Sequence, residues 1–354
     1  MSGIQKYATP AAGRINKLKG EILAHAIPVE VLGITGQNKP MPKNKGDNVE
    51  FRRWLPFGGV DNQFIQASTG DAAAAYANAH LTEEGVTPSA DTMVPVDVPA
   101  ILQEFSALYA ITNKTVDLHE DDIAPEMKKQ TGHRLGLVRE MVRYGALKGV
   151  TGRVYAGGDD RTEVSKPIGL RMLRQTARSL NVNHAEMITS ILAPSPNYET
   201  RAVEAGYLVF THTDMDSDIR DLKGFTPVAE YGTRKPVHDR ELGSVENFRF
   251  ITSPELVPYL DAGAAVGSTK LQTSGTKVDV YPVIVVAEDA WGQVALRGAD
   301  SLSVTYLPPS QKDKNDPLGQ RGYIGASTWF TAVVLNQGWM AVLEAGVSDL
   351  DEEE

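Results

Sequence analysis

The chain has 354 residues, of which 42% are hydrophobic and 23% are charged, and its formal net charge at neutral pH is -10. This length and composition are ordinary for a globular chain of about two domains with a sizeable buried core. The absence of cysteine excludes disulfides, cysteine-bound zinc, iron–sulfur clusters and cysteine nucleophiles, while the acidic balance argues against a dedicated nucleic-acid binder.

Positive charge is concentrated at the start of the chain. Residues 1–53 hold nine Lys/Arg and four acidic residues, a net charge of +5, which leaves -15 for the remainder. A helix with a narrow apolar stripe is predicted over 10–27, and it carries Arg14, Lys17 and Lys19. Such a segment can meet a polyanion or an acidic neighbouring subunit, or it can be a solvated arm, and the sequence leaves these alternatives open.

The next part of the chain predicts an extended arm. Residues 28–48 are rich in Pro, Gly, Lys and Asn and are predicted to be a linker. The alternating segment 49–57 and a return run at 93–102 predict two long antiparallel strands. Because an isolated two-stranded ribbon is marginal in water, its apolar side, which includes Phe51, needs a partner. The neighbouring sequence supplies none, so we expect a second subunit to cover it.

The rest of the chain mixes helices and strands. Long helices with apolar stripes are predicted over 119–149 and 167–181. Strand character is predicted at 104–118, 207–213, 248–253, 278–286 and 302–309. A short helix is expected at 254–263, and the apolar runs 328–336 and 339–345 are expected to form a hairpin.

No catalytic, cofactor or metal motif is found. The acidic run 212–218 has the alternate spacing of a calcium loop, but Ile219 and Phe225 stand where that loop needs Gly and Glu. We therefore expect an acidic turn at the start of a helix. The segment 263–270 has the wrong residue order for a phosphate loop. For the three arginines of the helix at 167–181, a solvated or ion-paired face is favoured over phosphate contact.

Four phrases in the last third of the chain occur in a fixed order. They are ELGSVENFRFITSPE (241–255), VDVYPVIVVAEDAWG (278–292), DPLGQRGYIG (316–325) and TWFTAVVLNQGWMAVLEA (328–345). As a set they resemble the major capsid proteins of tailed bacteriophages, in particular the family typified by the coat protein of phage N4. The resemblance covers nearly the whole chain and departs most at 58–80, which looks like an enlarged arm tip.

The resemblance implies an α+β architecture, the Hong Kong-97-type capsid fold. The expected parts are an N-terminal arm (1–39), an extended loop (40–98), a peripheral domain (99–194) with a long spine helix (119–149), an axial domain with a central sheet (195–305), and return strands of the peripheral domain with an acidic C-terminus (306–354).

The function implied by the resemblance is structural, without enzymatic activity or cofactors. Copies would assemble in the host cytoplasm as pentamers and hexamers of an icosahedral head that encloses double-stranded DNA, held without regard to its sequence. Further implied partners are portal, scaffold and decoration proteins, and no membrane is involved. The expected subunit-interface residues are Phe51, Arg52, Arg53, Trp54, Glu83 and Glu84. The expected genome-facing residues are Arg14, Lys17 and Lys19.

Two other functions remain open from the sequence. One is a mixed α/β enzyme for which no site can be named, and the other is a DNA-binding module that uses the basic first 53 residues. Particle size separates them from a capsid subunit, because only the capsid subunit forms megadalton shells. We also expect no covalent Lys–Asn cross-link between subunits, and a scaffold protein encoded separately.

Overall fold

The structure, a computed structural model, describes residues 30–42, 44, 46–54, 82, 84–87, 95–118, 123–192, 200–232, 235–267, 270–296, 303–312 and 316–350. Its strands are β1 (Gln37–Asn38), β2 (Asn48–Trp54), β3 (Pro95–Ile101), β4 (Gln103–Thr112), β5 (Arg153–Tyr155), β6 (Ile188–Leu192), β7 (Thr200–Thr211), β8 (Thr226–Pro227), β9 (Glu241–Val245), β10 (Phe248–Thr252), β11 (Tyr281–Val286), β12 (Trp291–Ala295), β13 (Ser303–Leu307), β14 (Arg321–Val334) and β15 (Met340–Ala345). Its α-helices are α1 (Asn113–Leu118), α2 (Ile123–Leu147), α3 (Leu170–Val182) and α4 (Asp216–Arg220).

The first sheet is built around β14, which is 14 residues long. It pairs antiparallel with β4 along one edge and with β12 and β13 along the other, and β1 extends the sheet from β12 in parallel. The long helix α2 lies across one face, where Leu135 packs with Ala107 and Ala326. Further along the same face, Met127 packs with Ile111 and Ile324. The small residues of the sheet let the helix approach it closely.

The second sheet has the strand order β5-β15-β11-β7-β10-β9-β8, and β6 also pairs with β7. Every residue of β9, β10 and β11 is buried, because both faces of this sheet are covered. On one face α3 packs through Leu173 and Leu180. On the other face the sheet contacts Val31, Leu32 and the end of α2 at Leu147. This sheet holds the largest part of the core.

Strands β2 and β3 form a hairpin that is not hydrogen-bonded into either of the two large sheets. They pair antiparallel from Asn48 opposite Ile101 to Trp54 opposite Pro95. The base is closed where the Leu102 amide donates to the carbonyl of Asp47 at 2.8 Å. The predicted two-stranded arm is therefore confirmed for its base. The predicted tip at 58–80 and the predicted helix at 10–27 lie outside the described residues.

The two long helices are also confirmed, at Ile123–Leu147 and Leu170–Val182. The predicted strand at 104–118 is only partly correct, because it ends at Thr112 and α1 follows. The reason is local: the Thr112 hydroxyl accepts a hydrogen bond from the Thr115 amide at 3.3 Å, a bond typical of a helix N-cap. The division into arm, extended loop, peripheral and axial domains stays a prediction.

Two expectations about the last third are wrong. The segment 254–263 is not a helix, because Tyr259 pairs with Val280 and Gly263 bonds to Val278 in the manner of a strand. The runs 328–336 and 339–345 do not pair with each other. A single 3-10 turn at Gln337–Trp339 carries the chain from β14 in the first sheet to β15 in the second, where β15 pairs with β11 and β5.

Candidate subunit interface

The inner face of the hairpin is buried within its own chain. Phe51 is 5% exposed and clusters with Met41, Ala100, Leu102 and Val294. The expectation that the apolar side of the arm lacks a partner in its own chain is therefore wrong for the described part of the hairpin. Phe51 is a packing residue of the subunit in this conformation, because β12 lies beneath it. Strand β12 comes far later in the sequence, so no local pattern points to it.

A glycine in β12 makes room for the aromatic ring. A Cβ atom on Gly292 would lie only 2.7 Å from Cζ of Phe51. The hairpin is also tied to the same strand through Lys39, whose ammonium donates to the carbonyl of Glu50 and lies 5.2 Å from the centroid of the Phe51 ring. The Lys39 amide in turn donates to the carbonyl of Gln293 at 3.1 Å. Packing and polar contacts together fix the hairpin on the sheet.

The outer face of the hairpin is charged and exposed. Arg52 binds Asp97 on the opposite strand through two hydrogen bonds of 2.7 and 2.8 Å, and this bidentate bond lowers the pKa of Asp97 below its usual value. Trp54 is 53% exposed and Ile101 is 58% exposed. Large exposed apolar side chains beside an ion pair are typical of a surface that binds another protein.

The other predicted interface and genome-facing residues have mixed positions. Arg53 is half-buried and has interactions of its own, and Glu84 is exposed. The remaining ones, which are Glu83, Arg14, Lys17 and Lys19, lie outside the described residues.

A second exposed apolar surface lies on the first sheet, on the face turned away from α2. We call it the outer sheet face and define it by Leu108, Leu307 and Trp329, which are 57%, 39% and 37% exposed. Their sequence neighbours Ala107 and Phe330 point the other way, towards α2, because successive side chains of a strand alternate in direction. The hairpin covers the same face at its β12 end, so the described residues cover only part of this face.

The sequence carried a signal for Leu108. In 104–111 the residues that alternate towards the core are Phe105, Ala107, Tyr109 and Ile111, so Leu108 falls in the polar phase with Glu104 and Ser106. A large apolar residue in the polar phase of a strand is expected to be exposed. No comparable signal existed for Gly292, because its role depends on a residue from a distant strand.

The start of the described chain is held by a buried ionic network. Glu140 is 0% exposed and accepts the amides of Val31 and Leu32 at 2.9 and 2.7 Å. Arg143 bonds to Glu30 at 2.7 Å and to Glu140 at 3.2 Å. Burial raises the pKa of Glu140 despite its cationic neighbour. Burial also acts to raise the pKa of Glu30, but the nearby arginines outweigh it, so that pKa is lowered.

The acidic run 212–218 is a structural turn. The His212 ring accepts the amide of Asp214 at 3.1 Å and caps a 3-10 turn. Asp214 accepts the hydroxyl of Tyr281 at 2.8 Å, and Asp218 accepts the hydroxyl of Ser348 at 2.6 Å. Over the described parts of the chain, no group of three or more His, Asp or Glu side chains is arranged to hold a metal ion.

The arginines of α3 follow the prediction of an ion-paired or solvated face. Arg171, Arg174 and Arg178 are all exposed. Arg174 bonds to Glu246 at 2.6 Å.

Comparison with known proteins adds to this picture. No protein-family model matches the chain. The major capsid protein of Pseudomonas phage KPP21 is 19% identical over 344 residues, which cover 86% of this chain and 85% of that protein. The capsid of Ralstonia phage GP4 superimposes over 100% of both chains with a TM-score of 0.56 at 10% identity. The capsid of cyanophage Pam1 covers 97% of both chains with a TM-score of 0.55 at 13% identity. The chain has the fold of a phage capsid protein.

The sequence relative and the structural neighbours agree over almost the full length of the chain. The function that they support is that of a structural protein of a phage capsid shell, built from many copies, and not that of an enzyme. The expected mixed α/β capsid fold is confirmed. Among the described residues, no helix is both long enough and apolar enough to cross a membrane.

Proposed function

We propose that this chain is the major subunit of an N4-type tailed-phage head, in which pentamers and hexamers form an icosahedral shell around double-stranded DNA. The hairpin of one copy packs against the outer sheet face of the next. The parts assigned from the resemblance, with an N-terminal arm at 1–39, an extended loop at 40–98 and an axial domain at 195–305, belong to this proposal.

The observation that carries the proposal is the presence of two exposed apolar surfaces on one capsid fold. The hairpin presents Trp54 and Ile101 outward, and the outer sheet face presents Leu108, Leu307 and Trp329. Among the described residues, neither set is covered within the subunit. Because exposed apolar clusters are costly in water, contacts between copies stabilise both sets at once.

Charge supports the proposed contact with the genome. The net +5 of residues 1–53 contrasts with -15 elsewhere, so a shell that turns this segment inward would meet the phosphates and keep its acidic surface away from them. Arg14, Lys17 and Lys19 are the proposed contacts. Portal, scaffold and decoration proteins complete the proposed set of partners.

Size is the direct test. The purified chain should form megadalton icosahedral particles, visible by electron microscopy and sedimenting far ahead of a 38.4 kDa monomer. A solitary subunit at high concentration would refute the proposal, and so would a small oligomer with catalytic turnover. Tight, steeply salt-dependent DNA binding by free subunits that never form shells would favour the DNA-binding module instead.

A matched pair of variants tests the outer sheet face. Leu108→Asp places a charge in the proposed contact and should abolish particles, while the free subunit keeps its unfolding midpoint because the side chain is 57% exposed. Val182→Asp is the control, since Val182 is 51% exposed at the end of α3. Equal particle yields from the two variants would remove the outer sheet face from the interface.

A further inference from the structure

We propose that Gly292 and Phe51 form a socket that sets the direction in which the hairpin leaves the subunit, and that this direction selects the geometry of assembly. The inference rests on the proposed function. Gly292 is a positioning residue in this scheme, because it is buried beneath Phe51 and acts through it.

The described residues pack closely around the ring of Phe51. Phe51 is 5% exposed, and a Cβ on Gly292 would lie 2.7 and 2.8 Å from Cζ and Cε1 of its ring. Such a separation is well below van der Waals contact, so the ring must move if the glycine is replaced. Met41 and Val294 pack around the ring, and Lys39 lies over it. The ring therefore has little room to slide, and the strand that carries it must lift.

A small lift at the socket is amplified along the hairpin. Its base is fixed by the bond between Leu102 and Asp47, and Phe51 lies four residues or about 14 Å further along at about 3.4 Å per residue. Relief of the clash needs about 1 Å, which becomes about 1.8 Å at Trp54, seven residues from the base. An interface side chain displaced by this distance misses a well-packed contact.

The test compares two alanine variants. Gly292→Ala fills the socket, whereas Gly145→Ala adds the same methyl group to α2 where no atom lies within 4 Å. We expect both dissociated subunits to fold, with a lower unfolding midpoint for Gly292→Ala because the added methyl group overpacks a filled site. Electron microscopy of assembly mixtures should show closed particles of wild-type diameter from Gly145→Ala. With Gly292→Ala, closed particles of wild-type diameter should be absent, and any particles that form should have other diameters.

A second substitution separates direction from simple packing. Phe51→Leu in the Gly292→Ala background shortens the side chain that clashes, so it should restore particles of wild-type diameter. Particles of wild-type diameter and yield from Gly292→Ala alone would overturn the socket. A failure of the double variant to restore them would overturn it too. An absence of particles from the wild-type chain would instead refute the proposed function.

Discussion

The buried network at the start of the described chain gives the sharpest stability prediction. Glu140→Gln keeps the shape of the side chain but removes the negative charge. The amide oxygen can still accept from Val31 and Leu32, whereas the amide nitrogen now faces the guanidinium of Arg143, which is left with Glu30. Removing one member of a buried ion pair costs about 3–5 kcal/mol. We expect about 3 kcal/mol, because Arg143 keeps one carboxylate.

The measurement is urea unfolding of unassembled subunits, with hydrogen exchange read at the amides of Val31 and Leu32. The control is Glu126→Gln on the same helix, whose exposed carboxylate bonds only to Gln130 among the contacts described, at 3.1 Å. It should change the free energy of unfolding by less than about 0.5 kcal/mol. A loss of about 3 kcal/mol is easily resolved against a total free energy of unfolding of about 5–15 kcal/mol. If the two variants agree within about 0.5 kcal/mol, Glu140 does not hold this segment.

Three other substitutions test single groups. The pKa of Glu30 lies below its usual 4.5, so its stabilisation is present above pH 4.5 and lost as pH falls through the folded-state pKa. Glu30→Gln should therefore flatten the acid side of the curve of urea midpoint against pH, and parallel curves would contradict this. Burial lowers the pKa of His238 from 6.5, so its stabilisation is full above pH 6.5 and falls with acid. His238→Asn, which keeps an acceptor, should reduce the drop in melting temperature between about pH 7.5 and about pH 5.5, and an unchanged drop would exclude His238 as its source. Glu344 is 0% exposed and binds both Arg153 and Arg161. Glu344→Gln should cost about 2–4 kcal/mol in urea unfolding, and a loss below about 0.5 kcal/mol would show that the arginines find other partners.

Local patterns were sufficient for the elements that are defined by their own residues. The helix α2 and the strands of the hairpin could be predicted because their apolar periodicity is written in consecutive residues. The capsid fold was predicted from ordered phrases and not from periodicity. The exposed Leu108 could have been found from its phase in β4, so that part of the candidate interface was within reach of the sequence.

Contacts between segments that are distant in the chain could not be predicted from the sequence. The run 328–336 looks like half of a hairpin, because Gln337-Gly338 is an ordinary turn sequence. Its real partners come from two distant strands: β4, where Phe330 lies opposite Gln103, and β12, where Val334 lies opposite Trp291. Glu140 has the residue type of a solvated helix face, and only the folded chain brings Val31 and Leu32 to it. Such pairings depend on packing between distant segments, which local propensity does not encode.

The pairing of β4 with β14 also determines when the first sheet can form during synthesis. Residues 103–112 meet residues 321–330, so the first sheet cannot close until the ribosome has passed residue 330. Contacts between such distant segments form slowly. The part of the first sheet that packs beneath the hairpin is incomplete until they have formed. A nascent chain that still lacks β14 is therefore unable to bind a neighbouring copy through this surface.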